Sequence, residues 1–413
     1  MADKMQGPRS ISMRNMAGKA LKHAKRTWRL STSRPIALDK ILCGGEHGMD
    51  GLQFSRHTDD ATRTSTQVAH SPHSRLLRQY IEIGERLFDA GTFEQTDYYT
   101  NAVRCIDMFG RYFNAKDAGG ILPIARNLVA LYRGAEIRKG QASHAFSRPN
   151  DPIIVYPIQH SDCYQLSDGN HRVAVACARG YKRIRAYVRN RPQTTTLQQY
   201  LLDVSWNVNR RELYQPISSP ELSQWRLVRK CSDRLEMMMR HLTPLRLEEG
   251  STYLDIACNY GWFVKEMRDA GYDAYGIEID KFARKIGVLK YGLPVSSLLA
   301  GEATIFLRET SSRYDIVSCL SLLHHFVLGG DPGLATELLR HLDRLTKRVL
   351  FIELGDADEA WFRRRMPGWT PAHIHDWLRE NTTFSSIVAL GKDSDRAPPY
   401  AGNYGRTLFA CTR

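Results

Sequence analysis

From Ser251 to the end of the chain, segments typical of strands alternate at short spacing with segments typical of helices. Strands are expected near 252–257, 273–279, 314–319 and 347–354, and helices near 261–270, 281–290, 331–344 and 371–381. A final pair of strands is expected near 384–391 and 406–412. This alternation predicts an α/β fold in which helices cover both faces of a doubly wound sheet.

The first strand of this region runs into a tight turn and a helix, in Tyr253-Leu-Asp-Ile-Ala-Cys-Asn-Tyr-Gly261. Asp255 ends the strand with a carboxylate, and Gly261 lets the backbone approach a ligand because it has no Cβ. The helix that follows offers free N–H groups at its N-terminus. Glu278 ends the second strand, 23 residues after Asp255. An acid at that distance is placed to accept hydrogen bonds from both hydroxyls of a ribose.

The composition of this turn separates two classes of cofactor. A dinucleotide needs a G-x-G-x-x-G turn to hold its pyrophosphate, whereas Ala257-Cys-Asn-Tyr-Gly261 has one glycine. A carboxylate at the end of the strand suits S-adenosyl-L-methionine (SAM), whose sulfonium and amino groups are cationic. The turn therefore favours SAM.

These residues resemble the first and second motifs of class I SAM-dependent methyltransferases, whose domain is Rossmann-like. The resemblance continues through Tyr314–Phe326, Lys347–Glu353 and Gly405–Cys411, which are similar to the fourth, fifth and terminal antiparallel strands of that family. It implies SAM as the cofactor, and the implied cofactor-binding residues are Asp255, Ala257, Cys258, Asn259, Gly261, Glu278 and Ile279. The family often has glycine where Ala257 stands, so a more crowded turn is expected.

His324 and His325 follow the fourth strand, where the substrate normally meets the methyl group in this family. A histidine there has a pKa suited to a general base in O-methylation, and both are candidate catalytic residues. The alternative is that one of them packs inward and only shapes the loop. DNA amino-methyltransferases carry an Asn/Asp-Pro-Pro-aromatic motif where this chain has Ser318–Ser321, and no Cys-Pro pair marks a cytosine-C5 nucleophile. Methylation of bases is therefore disfavoured.

The middle of the chain predicts a smaller α+β unit with the order strand, strand, turn, helix, strand. Its turn has a glycine, a helix N-terminus and two cationic side chains, which together suit a phosphate. The candidate phosphate- or nucleotide-binding residues are Asp168, Gly169, Asn170, His171 and Arg172. The alternative is an ion pair between Asp168 and Arg172 that only fixes the turn.

Residues 136–190 resemble the ParB/sulfiredoxin-like fold, whose signature is an Asp-Gly-x-His-Arg turn, a short helix ending in glycine, and a strand. The resemblance implies that the turn binds ATP or another nucleotide, and some members of the family are small-molecule kinases. Sulfiredoxins have a catalytic cysteine in the turn, where this chain has Asn170. Reduction of a sulfinic acid is therefore not expected.

The net charge of +14 favours a polyanionic partner, which could be nucleic acid, an anionic membrane surface, or a phosphorylated or acidic glycan. Residues 13–30 have apolar side chains at helical spacing between cations, a pattern that suits peripheral contact with a membrane. A helix that docks on the body of the protein is the alternative.

The expected domains are a basic tail and linker over 1–75, and a helical segment with the ParB/sulfiredoxin-like domain over 76–195. A helical connector over 196–245 and the methyltransferase domain over 246–413 follow. The eight cysteines are scattered without a C-x-x-C pair, so neither a metal site nor a disulfide framework is expected. No run of about 18 apolar residues predicts a membrane span. The expected location is the cytoplasm, with the inner face of the membrane as a place of contact.

Three functions are compatible with these features. The first is O-methylation of a sugar hydroxyl or a terminal phosphate in bacterial surface-glycan biosynthesis, with the middle domain binding a nucleotide or acting as a kinase. The second is nucleic-acid binding through a ParB-like module, which the lack of a helix-turn-helix after the Asp168 turn disfavours. The third is methylation of a small metabolite.

Overall fold

The structure is a computed structural model that describes residues 13–44, 66–137, 152–207, 210–394 and 400–413. The chain forms two compact units, Met1–Thr196 and Leu197–Arg413. In the described part of the chain, no helix is long and apolar enough to cross a membrane.

The described part of the first unit contains five α-helices and five strands. The helices are α1 (Met13–Ser31), α2 (Pro72–Ile83), α3 (Asp97–Phe109), α4 (Ile121–Ile137) and α5 (Asn170–Ala178). The strands are β1 (Arg34–Ala37), β2 (Ile41–Leu42), β3 (Ile153–Pro157), β4 (Tyr164–Asp168) and β5 (Arg183–Val188). They form one mixed sheet in the order β1-β5-β3-β4-β2.

Helix α5 joins the two layers of the first unit. Its Val173 packs against the sheet beside Val155 and Ala186. Its Val175, two residues later, packs into the cluster formed by α2, α3 and α4, beside Leu77 and Leu128. Both valines are fully buried, so one short apolar helix connects the sheet to the helical layer.

The predicted strand–strand–turn–helix–strand order is present as β3, β4, α5 and β5. The expectation of a linker from residue 31 to 75 is wrong at β1 and β2, which lie at the two edges of the sheet. These strands have four and two residues. Segments this short show no apolar periodicity in the sequence. They are strands because they pair with β5 and β4 in the folded chain.

The second unit is built around a seven-stranded sheet. Its described helices are α6 (Thr196–Asp203), α7 (Ser232–Leu242), α8 (Trp262–Asp269), α9 (Lys281–Tyr291), α10 (Ala303–Glu309), α11 (His324–Leu328), α12 (Pro332–Leu345) and α13 (Pro371–Asn381). A short pair of strands, β6 (Glu212–Leu213) and β7 (Arg226–Leu227), precedes the large sheet. The strands of that sheet are β8 (Thr252–Ile256), β9 (Asp273–Glu278), β10 (Leu298–Ala300), β11 (Tyr314–Leu320), β12 (Thr346–Glu353), β13 (Ser386–Lys392) and β14 (Thr407–Thr412).

The sheet has the order β10-β9-β8-β11-β12-β14-β13. The pairs that β14 forms with β12 and β13 are antiparallel, and the other pairs are parallel. Successive residues of β8 point to opposite faces. Tyr253 packs with α7 and α8 on one face, and Leu254 packs with α12 and α13 on the other. The chain order reverses between β8 and β11, so the carboxyl ends of these strands form the crevice where such sheets bind ligands.

Each strand and helix predicted from Ser251 onward is present within a few residues of its expected position. The sequence missed β10, α10 and α11, which have three, seven and five residues. Within 196–245, where a helical connector is expected, α6 and α7 are helices and the short strands β6 and β7 pair between them.

Candidate active site

The turn after β8 is tightly wound. Ala257, Asn259 and Gly261 have φ angles of 57°, 56° and 81°. A left-handed conformation costs a residue with a Cβ about 1–2 kcal/mol, so Ala257 and Asn259 hold a strained backbone here. The Gly261 N–H donates to the carbonyl of Cys258 at 2.9 Å and closes the turn. The result is the expected approach of the α8 N-terminus to the end of β8.

Two glycines let this turn pack closely on its surroundings. A Cβ on Gly261 would lie 2.9 Å from Cδ2 of Leu298, and a Cβ on Gly276 would lie 2.5 Å from Sγ of Cys258. Cys258 is buried, and burial holds the pKa of its thiol well above the usual value. Cys258 is therefore a packing group of the turn, and its thiol donates to the Asn259 carbonyl at 3.8 Å.

Glu278 lies at the end of β9, beside the turn. Its carboxylate accepts the N–H of Asn259 at 2.9 Å and the N–H of Asp280 at 2.8 Å, one on each oxygen. Burial raises the pKa of this carboxyl, although the two N–H groups oppose the effect. Each oxygen retains a lone pair for a further donor, and Ile279 beside it is 66% exposed. The carboxylate and an exposed apolar side chain therefore lie next to each other at the edge of the sheet.

Asp255 lies on β8, between β9 and β11, and is almost fully buried. Its Oδ1 accepts the hydroxyl of Ser318 at 2.5 Å, and that hydroxyl lies 2.6 Å from the Tyr253 hydroxyl. Burial raises the pKa of the Asp255 carboxyl to about 7, because the hydroxyl of Ser318 and the more distant charge of Arg234 offset only part of the desolvation. Because burial disfavours the ionised form of this carboxyl, a cationic ligand beside it would strongly stabilise that form.

The segment before β8 forms hydrogen bonds with the same turn. The sequence analysis did not predict this contact. Gln215 is buried, donates from Nε2 to the Cys258 carbonyl at 3.2 Å, and accepts the Trp262 N–H at 3.3 Å. The backbone N–H of Ser205 donates to Asp280 at 2.8 Å, and Asp280 also caps α9. Gln215 therefore fixes the turn and the first N–H of α8 from outside the strand–turn–helix unit.

His324 and His325 begin α11, which starts four residues after the last residue of β11. Their ring centroids lie 4.3 Å apart, and the His324 ring lies 5.1 Å from that of Phe362. Nδ1 of His324 is buried without a hydrogen-bond partner in the described part of the chain. Burial and the charge of Arg406 hold the pKa of His324 well below its usual value and lower that of His325. Both imidazoles are therefore neutral at neutral pH, and both are weaker bases than the sequence suggested.

A buried cluster of charges supports the loop that carries these histidines. Glu353, at the end of β12, forms ion pairs with Arg229 at 3.1 Å and Arg234 at 3.2 Å, and lies 3.6 Å from Arg406. Its Oε1 also accepts the hydroxyl of Ser321, which has a φ angle of 64°. Burial alone would raise the pKa of Glu353, but the arginines outweigh it and hold that pKa far below the usual range.

The Asp168 turn lies in the first unit between β4 and α5. Gly169 has a φ angle of 110°, and Arg172 lies 3.7 Å from the exposed carboxylate of Asp168. Asn170 donates to the Gly44 carbonyl at 3.4 Å. The structure therefore brings together Asp168, Gly169 and Arg172.

His171 of the same turn points elsewhere. Its ring centroid lies 4.5 Å from that of Phe113, and its Nε2 lies 3.2 Å from the Tyr98 hydroxyl. His73 is a further ring neighbour, at 5.3 Å. His171 thus belongs to an aromatic group, which the sequence pattern did not reveal because its members come from four separate segments.

Residues 226–389 match a family model described as a methyltransferase domain. The chain therefore contains a methyltransferase domain over these residues, and the predicted Rossmann-like α/β sheet is confirmed. No curated protein matches the chain. Within the described residues, no group of three or more histidine, cysteine, aspartate or glutamate side chains could hold a metal ion.

Solved structures with some similarity include the bifunctional kinase-methyltransferase WbdD, at 19% identity and a TM-score of 0.43. That match covers 52% of this chain and 46% of WbdD, so the chain spans less than half of the length of that protein. Magnesium protoporphyrin IX methyltransferase (ChlM) from Synechocystis PCC 6803 with bound SAM matches at 18% identity and a TM-score of 0.32, over 44% of this chain and 78% of that one. The methyltransferase domain of bacterial CtHen1-CN matches at 14% identity and a TM-score of 0.33, over 44% of this chain and 97% of that one.

Proposed function

We propose that this protein is a SAM-dependent O-methyltransferase that acts on a sugar hydroxyl or a terminal phosphate in bacterial surface-glycan biosynthesis. The observation that carries the proposal is the geometry at the carboxyl edge of the large sheet. Asp255 and Glu278 flank one strained turn on neighbouring strands, and His324 follows the next strand of the sheet.

In this proposal Glu278 accepts the ribose hydroxyls through the lone pairs that its two backbone contacts leave free. Asp255 offers its carboxylate to the cationic amino-acid part of SAM, and Ile279 contacts the adenine. Ala257, Cys258, Asn259 and Gly261 contribute the backbone of the turn. SAM, when bound, supplies a methyl group on a positively charged sulfur.

The acceptor oxygen attacks that methyl group in line, so the protein contributes mainly by positioning. A hydroxyl must lose its proton in the same step, and a neutral imidazole of His324 or His325 takes it. A phosphate is already an anion and needs no base. Replacement of the histidines therefore distinguishes the two acceptors.

Titration calorimetry with SAM tests the cofactor site. Wild type should bind, and Glu278→Ala should bind at least tenfold more weakly because two charge-assisted hydrogen bonds are lost. Glu309→Ala, at an exposed glutamate of the same unit, is the matched control and should bind like wild type. Failure of wild type to bind would remove the methyltransferase proposal, and full binding by the Glu278 variant would remove the ribose assignment.

Transfer of labelled methyl groups to candidate glycans tests the acceptor and the base. With a hydroxyl acceptor, His324→Gln or His325→Gln should lower kcat by about 100-fold or more at unchanged SAM affinity. His341→Gln, at a histidine that pairs with Glu337 on α12, is the control. Unchanged kcat in both active-site variants would assign the pair a structural role or point to a phosphate acceptor.

We further propose that the Asp168 turn binds the phosphates of ATP or another nucleotide, so that the first unit acts as a nucleotide-binding or kinase-like partner of the methyltransferase. The left-handed Gly169 and the N-terminus of α5 support it. Arg172→Gln should weaken ATP binding about tenfold. If incubation with ATP and glycans yields neither nucleotide binding nor phosphate transfer, this proposal fails.

Peripheral membrane contact through residues 13–30 is proposed as well. Leu21 and Trp28 on α1 are 57% and 55% exposed, beside the basic side chains of this helix. Binding to vesicles with anionic lipids should fall when both residues are replaced by serine. A protein without the tail that methylates a soluble acceptor at full rate would favour a small metabolite over a membrane-bound glycan.

A further inference from the structure

A polar cleft of 850 Å³ opens on the first unit, in the size range of ligand-binding sites. Its walls are the ends of β3, β4 and β5, the segment that follows β5, and Arg29 of α1. It lies away from the Asp168 turn along the same pair of strands. Tyr156 pairs with Gln165 at the cleft, whereas Ile154 pairs with Asp168 at the turn.

The wall that follows β5 is fixed by backbone hydrogen bonds to β3. The N–H of Arg189 donates to Val155 at 2.9 Å, and the N–H of Gln193 donates to Pro157 at 2.8 Å. The Gln193 carbonyl in turn accepts the N–H of Gln159 at 2.9 Å. These bonds hold the cleft in a defined shape. The segment is therefore already ordered before a ligand binds, which lowers the entropic cost of binding.

The charged side chains that line the cleft are all positive. Arg29, Arg189 and Arg191 line it, and no carboxylate among the described residues does. None of the three arginines forms an ion pair within the described ranges of the chain. Arginine binds phosphate through paired N–H groups, so three of them around one cavity favour a phosphate.

Two buried polar atoms at the cleft have no hydrogen-bond partner among the described residues. Thr196 is 3% exposed, and its hydroxyl finds no hydrogen-bond partner among the described residues. Nε of Arg189 is also buried without one. A buried polar group without a partner costs about 1–3 kcal/mol, and a bound polar ligand would remove that cost.

The remaining lining indicates what the phosphate is attached to. Besides the arginines, it consists mainly of amides and hydroxyls, with the rings of Tyr156 and Tyr187. The guanidiniums of Arg189 and Arg29 lie over these two rings, at 4.9 and 5.5 Å from the ring centroids. The amides and hydroxyls match the hydroxyls of a sugar. A nucleobase instead needs an apolar slot, for which Pro192 is the only aliphatic side chain among the described lining residues.

We propose that this cleft binds the phosphate-bearing end of a saccharide. The saccharide class rests in part on the proposed glycan acceptor, so binding here must be measured separately from SAM binding. Calorimetry on the full chain with glucose 1-phosphate measures binding in the cleft. Glucose, inorganic phosphate and ATP are the comparison ligands. Each variant is titrated with SAM in parallel.

Glucose 1-phosphate should bind more tightly than glucose or inorganic phosphate. Arg191→Gln removes an exposed cation and should weaken it about tenfold, whereas Arg86→Gln, at an exposed arginine of the same unit outside the cleft, should leave it unchanged. Thr196→Val removes only the unpartnered hydroxyl. It should weaken binding severalfold without lowering the melting temperature, which excludes misfolding as the cause.

Equal affinity of wild type and Arg191→Gln, or no binding at about millimolar concentration, would overturn the proposal. Binding of ATP with the same arginine dependence, but not of glucose 1-phosphate, would overturn the saccharide assignment. SAM affinity should stay at the wild-type value in every cleft variant. If wild type binds glucose 1-phosphate but not SAM, the methyltransferase proposal fails and the saccharide-phosphate proposal is retained.

Discussion

The buried carboxyl of Asp255 should make SAM binding depend on pH. Its pKa is raised to about 7 by burial in the free protein, and a cationic ligand beside it requires the ionised form. At pH 6 only about one molecule in ten has the ionised carboxylate, and at pH 8 about nine in ten do. The dissociation constant for SAM should therefore be about tenfold larger at pH 6 than at pH 8.

The same shift has the opposite consequence for stability. The folded pKa of about 7 lies above the usual value of 3.8, so the folded state binds the proton more tightly than the unfolded state. Stability is thus lost as the pH rises from about 4 to 7, and the full penalty of up to about 4 kcal/mol applies above pH 7. Asp255→Asn keeps an acceptor for the Ser318 hydroxyl and removes the charge. It should be more stable than wild type at pH 8 and bind SAM more weakly.

Calorimetric titration of both proteins with SAM from pH 6 to 8, with urea unfolding at the same values, measures both effects. Any titration of SAM itself appears in both proteins and cancels in the comparison. Equal affinities for wild type at pH 6 and pH 8 would refute the reasoning. So would an Asp255→Asn protein with the wild-type pH profile, because the titrating group would then lie elsewhere.

Three further changes test the support of the site. Glu353→Gln leaves three buried arginines with less negative charge and should cost about 3–5 kcal/mol of unfolding free energy. A loss under about 1 kcal/mol would show that Asp393, with Glu359 at Arg406, compensates them. Gly261→Ala places a Cβ 2.9 Å from Leu298 at a φ of 81° and should cost about 1–2 kcal/mol in urea unfolding. Unchanged stability would mean that the turn relaxes. Gln215→Leu removes the partner of the Trp262 N–H and one of the two donors to the Cys258 carbonyl, which keeps the Gly261 N–H. It should weaken SAM binding at least severalfold in calorimetry, and SAM affinity equal to wild type would show that the turn keeps its shape without Gln215.

The sequence by itself determined the order of strands and helices in the methyltransferase domain. Those segments are long enough for their apolar periodicity to define them, and β8 with its turn and Gly261 forms one continuous stretch of chain. The placement of Glu278 beside that turn also followed from sequence, because consecutive parallel strands bring their carboxyl ends to the same edge.

The tertiary structure alone decided which distant side chains support that edge. Gln215 reaches the turn from 43 residues away, and Arg229 meets Glu353 across 124. No local pattern specifies such pairs. Burial likewise decided the protonation of Asp255 and His324, since a pKa depends on the solvent that packing removes. The sequence thus fixes where the carboxylates and histidines lie along the chain, and the three-dimensional packing sets their charge and their partners.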